Sequence, residues 1–449
     1  MKDLYHPEMY RTDRPSPSYW RRSAAEDAYA PLRGDHQVDV AIVGGGFTGL
    51  SAALHLARDH GIDVALVDAG EIGWGATSRN AGFNTLPACK LGLPAMQRIW
   101  GAEATADFYA SQLEGVRLAE ALAAEEGFDL GACGSGTYVV AHGPGAWREL
   151  QQEVRDWKRA TDVPVALLDR DAFAEIGHGG AEQHGAMSLP FGGGLDPVAY
   201  SSGLARAAAR RGARLYGRSA VERWERHDGR HVLHTAGGTL QAQRVIVATN
   251  GYPTSVAPRR LQHRVLPVIS NIVVTEPLSD AQWAAHGYRT FSPIADSRHL
   301  LHYYRRLPDN RLLFGGRGDF SGTDAEGARM RAALQSAIAR KFPAWGTLRV
   351  DCFWRGMVAI TRKLAPSFGC LPDDPSVWYG FGCFGNGVNT MPWIGRTLAR
   401  RIAGVPLSRT ERCAVYAGLP ARLPPINWMK TLGLRAAYGH YALLDALAS

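Results

Sequence analysis

One segment near the N-terminal end restricts the fold of this chain more than any other. A short apolar run, Asp39–Val43, leads into a G-x-G-x-x-G pattern formed by Gly44, Gly46 and Gly49. Apolar residues at helical spacing follow, and a second apolar run, Asp63–Val67, ends at Asp68. Strand, glycine turn, helix, strand and terminal acid in this order are typical of a Rossmann unit, so the segment predicts a dinucleotide site.

Each residue type in this pattern has a physical reason to be there. Gly44 permits the tight turn, Gly46 lets the backbone approach a pyrophosphate, and Gly49 lets the helix pack closely on the strand. Free N–H groups and the dipole at the start of the helix attract phosphate. Asp68 accepts hydrogen bonds from a ribose and would repel a 2′-phosphate.

A second G-x-G-x-x-G pattern lies more than three hundred residues further on, at Gly380, Gly382 and Gly385. A strand, 377–379, precedes it, and an apolar helical pattern follows it. However, the residue nineteen positions after Gly385 is Gly404, a helix stop, and not an acid. The second pattern therefore does not predict a second dinucleotide site, and we expect both turns to serve one cofactor.

The loop Gly70–Thr85, "GEIGWGATSRNAGFNT", follows where a further crossover helix is normal in an NAD-binding unit. It resembles the D-amino-acid-oxidase superfamily of flavoproteins, in particular the glutamylputrescine-oxidase branch, whose loop reads G-W-G-A-S-G-R-N-G-G. Ser78 and Ala81 depart from that pattern but are small. The second glycine pattern resembles the superfamily's Gly-x-x-Gly-His-Gly-Val signature, with Asn386 in place of His. These resemblances imply FAD.

The resemblance also bears on how FAD is attached. Relatives that bind flavin covalently use a His in the loop, where this chain has Thr77 and Ser78. Others use a Cys near the position of Gly356, and Cys352 lies four residues too early. We therefore expect noncovalent FAD.

The resemblance implies an α/β fold of the glutathione-reductase-like type 2 architecture. A Rossmann-type FAD-binding domain is expected beside a substrate-capping domain built on an antiparallel sheet. The expected segments are an N-terminal arm at 1–36, an FAD-binding domain at 37–90, 194–256 and 352–449, and a substrate domain at 91–193 and 257–351. The predicted cofactor contacts are Gly44, Gly46, Phe47, Thr48, Gly49, Asp68, Ala69, Gly75, Ala76, Thr77, Arg79, Asn80, Ala81, Gly82, Val221, Thr249, Asn250, Gly251, Trp354, Gly356, Gly385, Asn386, Gly387 and Val388.

The activity that the resemblance implies is oxidation of a C–N bond, with hydride transfer to flavin, hydrolysis of the imine and reoxidation by O2 to give hydrogen peroxide. Candidate catalytic or pocket residues are His302, Tyr304, Trp354, Lys363 and Tyr252. A structural role stays open for His302, a packing role for Tyr252 and a surface role for Lys363. Two alternatives also stay open: an amine dehydrogenase that passes electrons to a carrier or quinone, and a flavin-binding protein without turnover.

Composition restricts the classes of substrate and binding partner that we expect for this chain. The net charge of +8 favours an amine substrate with an acidic group, glutamylputrescine-like or sarcosine-like. One basic cluster, Arg259, Arg260, His263 and Arg264, is interpreted as solvated surface or an attractor of an anionic tail. Six scattered cysteines without a C-x-x-C pair predict free thiols in a reducing cytoplasm and no metal site. No segment predicts a signal peptide, a membrane partner or nucleic-acid binding, and the oligomeric state stays open.

Overall fold

The computed structural model describes residues 3–22 and 29–449, so part of the predicted N-terminal arm lies outside the described residues. The α-helices of the described chain are α1 Phe47–His60, α2 Leu93–Glu126, α3 Pro144–Ala160, α4 Arg170–Ile176, α5 Pro197–Arg210, α6 Asp280–Ala285, α7 Asp324–Lys341, α8 Gly387–Ile402 and α9 Asn427–Leu447. Within α2, Gly101 has non-helical dihedral angles and kinks the helix. None of the helices described is both long and apolar enough to cross a membrane.

The strands form two large sheets and one short pair. In chain order they are β1 Gly34–Val43, β2 Val64–Val67, β3 Phe83–Asn84, β4 Thr137–Val140, β5 Ala166–Leu168, β6 Ala186–Leu189, β7 Gly193–Gly194, β8 Arg214–Tyr216, β9 Arg223–His227, β10 Arg230–Thr235, β11 Gly238–Val247, β12 Leu266–Pro277, β13 Ile294–Asp296, β14 Tyr303–Arg306, β15 Arg311–Arg317, β16 Val350–Ile360, β17 Ser367–Cys370 and β18 Val377–Phe381.

The first sheet is the Rossmann sheet that the sequence predicts. Its main order is β17-β18-β11-β1-β2-β8, and β10 and β9 extend it from β11. The pairs from β18 to β8 are parallel. Val40 and Ile42 of β1 are buried against helices, and Ala41 is buried on the opposite face in a cluster with residues of β10 and β11. Burial of both faces explains the unbroken apolar run in the sequence.

The second sheet has the order β16-β12-β15-β14-β13-β4-β6-β5. It is antiparallel, as expected, except that β13 and β4 run parallel. The predicted segment boundary at residue 352 is wrong, because it cuts β16. That strand pairs with β12 from Ile360 to Val350 and therefore belongs to the second sheet.

Helices α1 and α8, which follow the two glycine patterns, pack directly on each other. A Cβ atom on Gly395 of α8 would lie 2.4 Å from the carbonyl oxygen of Thr48 on α1, so only glycine allows this approach. The Ser51 hydroxyl donates a hydrogen bond to the carbonyl of Pro392 at 2.7 Å. The helix starts, and the glycine turns before them, are thereby brought together.

Candidate active site

A cavity of about 640 Å³ lies between the two sheets. Both glycine turns line it: Gly44 and Gly46 at one place, Gly385 and Gly387 at another. Ser270 and Tyr303 of the second sheet form part of the opposite wall. A cavity of this size suits an extended cofactor together with a small substrate.

The first turn has the shape that a pyrophosphate requires. A Cβ atom on Gly44 would lie 2.8 Å from the backbone of Ala248, and one on Gly49 would lie 2.0 Å from the carbonyl oxygen of Gly44. A Cβ atom on Gly46 would meet only Thr77 Oγ1, at 3.0 Å, so larger side chains there would extend toward the cavity. The N-cap residue of α1, Gly46, has no side chain to cap the helix, which leaves the N-terminal dipole available to phosphate.

Asp68 lies at the end of β2 and lines the cavity, as the Rossmann pattern predicts. Its carboxylate accepts hydrogen bonds from the backbone N–H groups of Gly45, at 2.6 Å, and Gly70, at 2.8 Å. Burial raises the pKa of Asp68 to about 6, against the lowering effect of these two bonds. The carboxylate is thus fixed in position and retains lone pairs for ribose hydroxyls.

The loop after β2 is held against the cavity by neighbours from both sheets. Thr77 Oγ1 accepts a hydrogen bond from the Phe47 N–H at 3.2 Å. The Trp354 indole N–H donates to the carbonyl of Arg79 at 3.0 Å. A Cβ atom on Gly356 would lie 2.9 Å from Cβ of Arg79, so glycine at that position of β16 lets the loop approach.

The second turn is also fixed by local contacts. Gly382 and Gly385 have φ angles of +90° and +99°, which other residues rarely adopt. The Asn250 side chain accepts a hydrogen bond from the Gly382 N–H at 2.9 Å. The Asn386 side chain donates to the carbonyl of Pro87 and so ties the turn to another part of the cavity wall.

Arg317, at the end of β15, is a charged group of the opposite wall. Its Nη2 atom lies 3.1 Å from the position that a Cβ atom on Gly385 would take. Its Nη1 atom is buried and has no hydrogen-bond partner among the described residues. A buried cationic N–H group without a partner is costly, so this guanidinium fits an anionic ligand group.

Tyr303 and Ser270 stand beside this arginine on the same sheet. The Tyr303 ring lies across Gly315, where a Cβ atom would be 2.2 Å from the ring. Its hydroxyl hydrogen-bonds with the Ser270 hydroxyl at 2.7 Å. Burial raises the pKa of Tyr303, so the phenol stays neutral and forms a polar edge on a largely apolar wall.

A second cation, Lys90, also lines the cavity. Its ammonium group donates a hydrogen bond to the carbonyl of His299 at 2.9 Å. Burial, and after it the charge of Arg317, lowers the pKa of Lys90 to about 8. Arg317 and Lys90 together give this end of the cavity a positive potential.

The structure brings almost all of the predicted cofactor contacts to this one cavity. Three do not line it: Gly49, Gly82 and Trp354. Gly49 instead permits the close approach of α1 to the turn, and Gly82 packs against the carbonyl of Leu195. The prediction that Trp354 forms a pocket wall is wrong, because its side chain is buried in the core and acts through its bond to Arg79.

Of the candidate catalytic residues, only Tyr252 lines the cavity. His302 and Tyr304 do share a face of the sheet, since both rings pack on Phe314, but that face is turned to the interior of the second sheet's core. Tyr304 hydrogen-bonds with His178 at 2.9 Å, and His302 lies 3.3 Å from Asp296. The side chains of His302 and Tyr304 therefore contact residues of the second sheet's core and not the cavity.

Lys363 also lies away from the cavity, where its ammonium group donates to the carbonyl of Ala417 at 2.9 Å. Cys352, the candidate for covalent attachment, is buried in a core cluster of the second sheet and does not line the cavity either. Neither residue is placed to contact a ligand there.

Sequence reasoning missed Arg317, Tyr303 and Lys90. The signal for Tyr303 was present, because alternation along β14 places it opposite to His302 and Tyr304. For Arg317 the usable signal is the run "LLFGGRG", in which an arginine follows two glycines at the end of an apolar strand. Lys90 lies in a loop, and no local pattern marks it.

A Rossmann sheet whose glycine turn and terminal acid face a cavity closed by a second sheet is the arrangement of an FAD-dependent oxidoreductase. Residues 39–401 match the DAO family, described as FAD dependent oxidoreductase, and the chain belongs to this family. FAD is therefore its cofactor. The first turn, Asp68 and the loop around Thr77 are the residues suited to hold it.

Known proteins support the same assignment. The chain is 30% identical over 439 residues to the gamma-glutamylputrescine oxidoreductase of Escherichia coli strain K12, a match that covers 96% of this chain and 98% of that protein. It is 28% identical over 376 residues to the glycine oxidase of Geobacillus kaustophilus strain HTA426, covering 81% and 92% of the two chains.

The fold is also that of a solved structure. The crystal structure of glycine oxidase from Geobacillus kaustophilus superimposes with a TM-score of 0.69, covering 85% of this chain and all of that one, at 24% identity. This likeness is one of architecture. The family match defines the chain as an FAD-dependent oxidoreductase.

Proposed function

We propose that this enzyme oxidises the C–N bond of a small amine that also carries a carboxylate group. One observation carries the choice of an acidic substrate: Arg317 lines the cavity beside the second glycine turn, and its Nη1 has no hydrogen-bond partner among the described residues. A guanidinium in that state binds a carboxylate through two parallel hydrogen bonds. Lys90 adds positive charge to the same region.

FAD, when bound, supplies the two-electron oxidation by accepting a hydride from the carbon next to the amine nitrogen. The chain's own residues orient the reactants. Arg317 fixes the acidic end of the substrate, and Tyr303 limits the position of its carbon chain. The start of α8, at Gly387 and Val388, lines the cavity and directs its positive dipole there, so it stabilises negative charge that develops during the reaction.

No side-chain base is required if the amine binds in its neutral form. The product imine is then hydrolysed by water, and in this proposal O2 is the final electron acceptor and is reduced to hydrogen peroxide. Noncovalent attachment of FAD is part of the proposal, since Cys352 does not line the cavity. Tyr252 remains a candidate for contact with the reactants.

The test is an anaerobic screen of the FAD-loaded protein with amines and N-alkyl amino acids, each paired with its methyl ester. We expect the acids to bleach the flavin absorbance much faster than the esters, and we expect peroxide when air is admitted. Equal rates for acids and esters would contradict the role of Arg317. Bleaching without peroxide would point to a dehydrogenase with another acceptor, and no bleaching by any amine would contradict amine oxidation.

A further inference from the structure

The C-terminal helix α9 leaves an apolar surface uncovered. Eight large apolar side chains of the described chain are strongly exposed, and six of them lie on or next to this helix: Ile426, Trp428, Met429, Leu432, Leu443 and Leu447. Trp428 is 63% and Leu447 is 74% exposed. Single exposed apolar residues are ordinary, but a concentration on one element marks an interaction surface.

Helix α9 makes its polar contacts on the side that faces the protein, and its apolar residues lie on the outer side. Asp445 is buried and accepts hydrogen bonds from the N–H groups of His299, at 2.6 Å, and Leu300, at 3.1 Å. Tyr438 packs edge-on against Phe320 with ring centroids 4.9 Å apart. These contacts dock one side of α9, and the opposite side carries the apolar residues along about 30 Å of helix.

A group of cations adjoins the N-terminal end of this surface. We call Arg259, Arg362, Arg422 and Lys430 the basic patch. Arg422 donates to the carbonyl of Arg259 at 2.6 Å, and Arg362 donates to the carbonyl of Arg422 at 3.3 Å. None of the four forms an ion pair with a described residue, whereas their neighbour Arg260 pairs with Asp373 at 3.0 Å.

The patch is continuous with the apolar surface along the chain. Lys430 lies between Met429 and Leu432 in sequence, and Arg422 is four residues before Ile426. Arg435 adds an exposed cation one turn further along α9. Asp445 is the sole acidic residue of α9, and its carboxylate faces inward.

We propose that the outer face of α9 and the basic patch dock on an anionic phospholipid surface, with the helix parallel to the membrane plane. Tryptophan and leucine insert at the level of the headgroups, and arginine and lysine attract the lipid phosphates. A second copy of this chain suits the face less well. A two-fold contact pairs the outer faces of two α9 helices, and among the described residues that face offers no acidic residue to neutralise the basic patches. This proposal departs from the sequence expectation of no membrane partner, and the cluster that contains Arg259 is interpreted there as solvated surface or an attractor of an anionic tail.

The test is flotation of the FAD-loaded enzyme with two kinds of vesicle, phosphatidylcholine alone and an equal mixture of phosphatidylcholine with phosphatidylglycerol. We expect at least about tenfold more protein on the anionic vesicles at low salt, with loss of binding as salt is raised. Equal binding to both vesicles, or binding to neither, would overturn the proposal.

Two double variants separate the parts of the surface. Trp428→Ser with Leu432→Ser removes apolar contact, and Arg259→Gln with Arg422→Gln removes charge. We expect each to reduce binding to anionic vesicles about tenfold while flavin content stays unchanged. The matched controls, Ile99→Ser and Arg148→Gln with Arg159→Gln, change exposed residues elsewhere and should bind like the parent.

A third experiment measures the oligomeric state of the enzyme by sedimentation in the absence of vesicles. We expect Trp428→Ser with Leu432→Ser to leave the oligomeric state unchanged. A shift to a smaller species in this variant would show that a second copy covers the face and would overturn the lipid proposal.

Discussion

The two glycine turns share a spacing and a cavity, but their charged surroundings are opposite. Beside the first turn lies a carboxylate, Asp68, which two backbone N–H groups hold in place. Beside the second lie two cations, Arg317 and Lys90. The same glycine pattern therefore occurs in two different electrostatic environments. Side chains from other parts of the fold determine which charge lies beside each turn.

The glycines of the two turns also differ in what they permit. At the first turn, a Cβ atom on Gly44 or Gly49 would lie 2.8 Å or less from neighbouring backbone, so these glycines allow strand and helix to come together. At the second turn, a Cβ atom on Gly385 would lie 3.1 Å from the flexible end of Arg317. The first turn thus belongs to a cradle for phosphate, and the second leaves space for a side chain that selects substrate.

The strongest way to break the first turn is Gly46→Val. The added Cβ would lie 3.0 Å from Thr77 Oγ1, and the methyl groups on it would extend toward the cavity and displace the pyrophosphate. We expect FAD affinity to fall on the order of 1000-fold, about 4 kcal/mol, with little change in thermal unfolding of the apoprotein. Flavin titration measures it, and Gly92→Ala, at a glycine with open surroundings, should bind FAD normally.

Arg317→Gln tests the charge beside the second turn. We expect kcat/KM for an acidic amine to fall about 100-fold, or about 2.7 kcal/mol, since a charge-assisted pair to carboxylate is lost. FAD content should not change. The methyl ester of the same amine should lose little, and the exposed control Arg340→Gln should behave as the parent; an equal loss for acid and ester would contradict the assignment.

Asp68→Asn sharpens the description of the first turn. The pKa of Asp68 is raised to about 6, so the carboxylate is ionised above that pH and takes a proton below it. The ionised form accepts stronger hydrogen bonds from ribose. FAD affinity of the parent should therefore fall as pH drops from 7.5 to 5, and Asp68→Asn should bind about tenfold more weakly at pH 7.5 with no such pH dependence.

Lys90→Gln should have the smallest effect. Because the pKa of Lys90 is lowered to about 8, its positive charge is present below that pH and is lost above it. A short monocarboxylate that lacks an amine should inhibit the parent less strongly as pH rises through 8. In Lys90→Gln we expect inhibition about threefold weaker at pH 7 and flat across this range. A retained pH dependence would show that another group titrates.

The cofactor half of the site could be predicted because its determinants are local. Gly44, Gly46 and Asp68 lie within one supersecondary unit, and the tight turn and the helix start require particular residue types at fixed spacing. The Rossmann sheet follows from the same unit. The family resemblance supplied the remainder, including the second sheet.

The substrate half could not be predicted, because its residues converge from distant strands. Arg317, Tyr303 and Lys90 lie in three separate segments, and only the pairing of β12, β14 and β15 brings the first two together. Alternation along β14 separates Tyr303 from His302 and Tyr304, but the face that meets the cavity depends on the register with β15. The prediction of His302 therefore falls one residue short of Tyr303, which lines the cavity.

The central claim is that both turns enclose one FAD molecule in one cavity. Its most direct test is the ratio of FAD to protein in the purified, fully loaded enzyme, measured from flavin absorbance after denaturation against total protein. We predict one FAD per chain, released without covalent attachment. Two FAD molecules per chain, or a chain that takes up none, would contradict the claim.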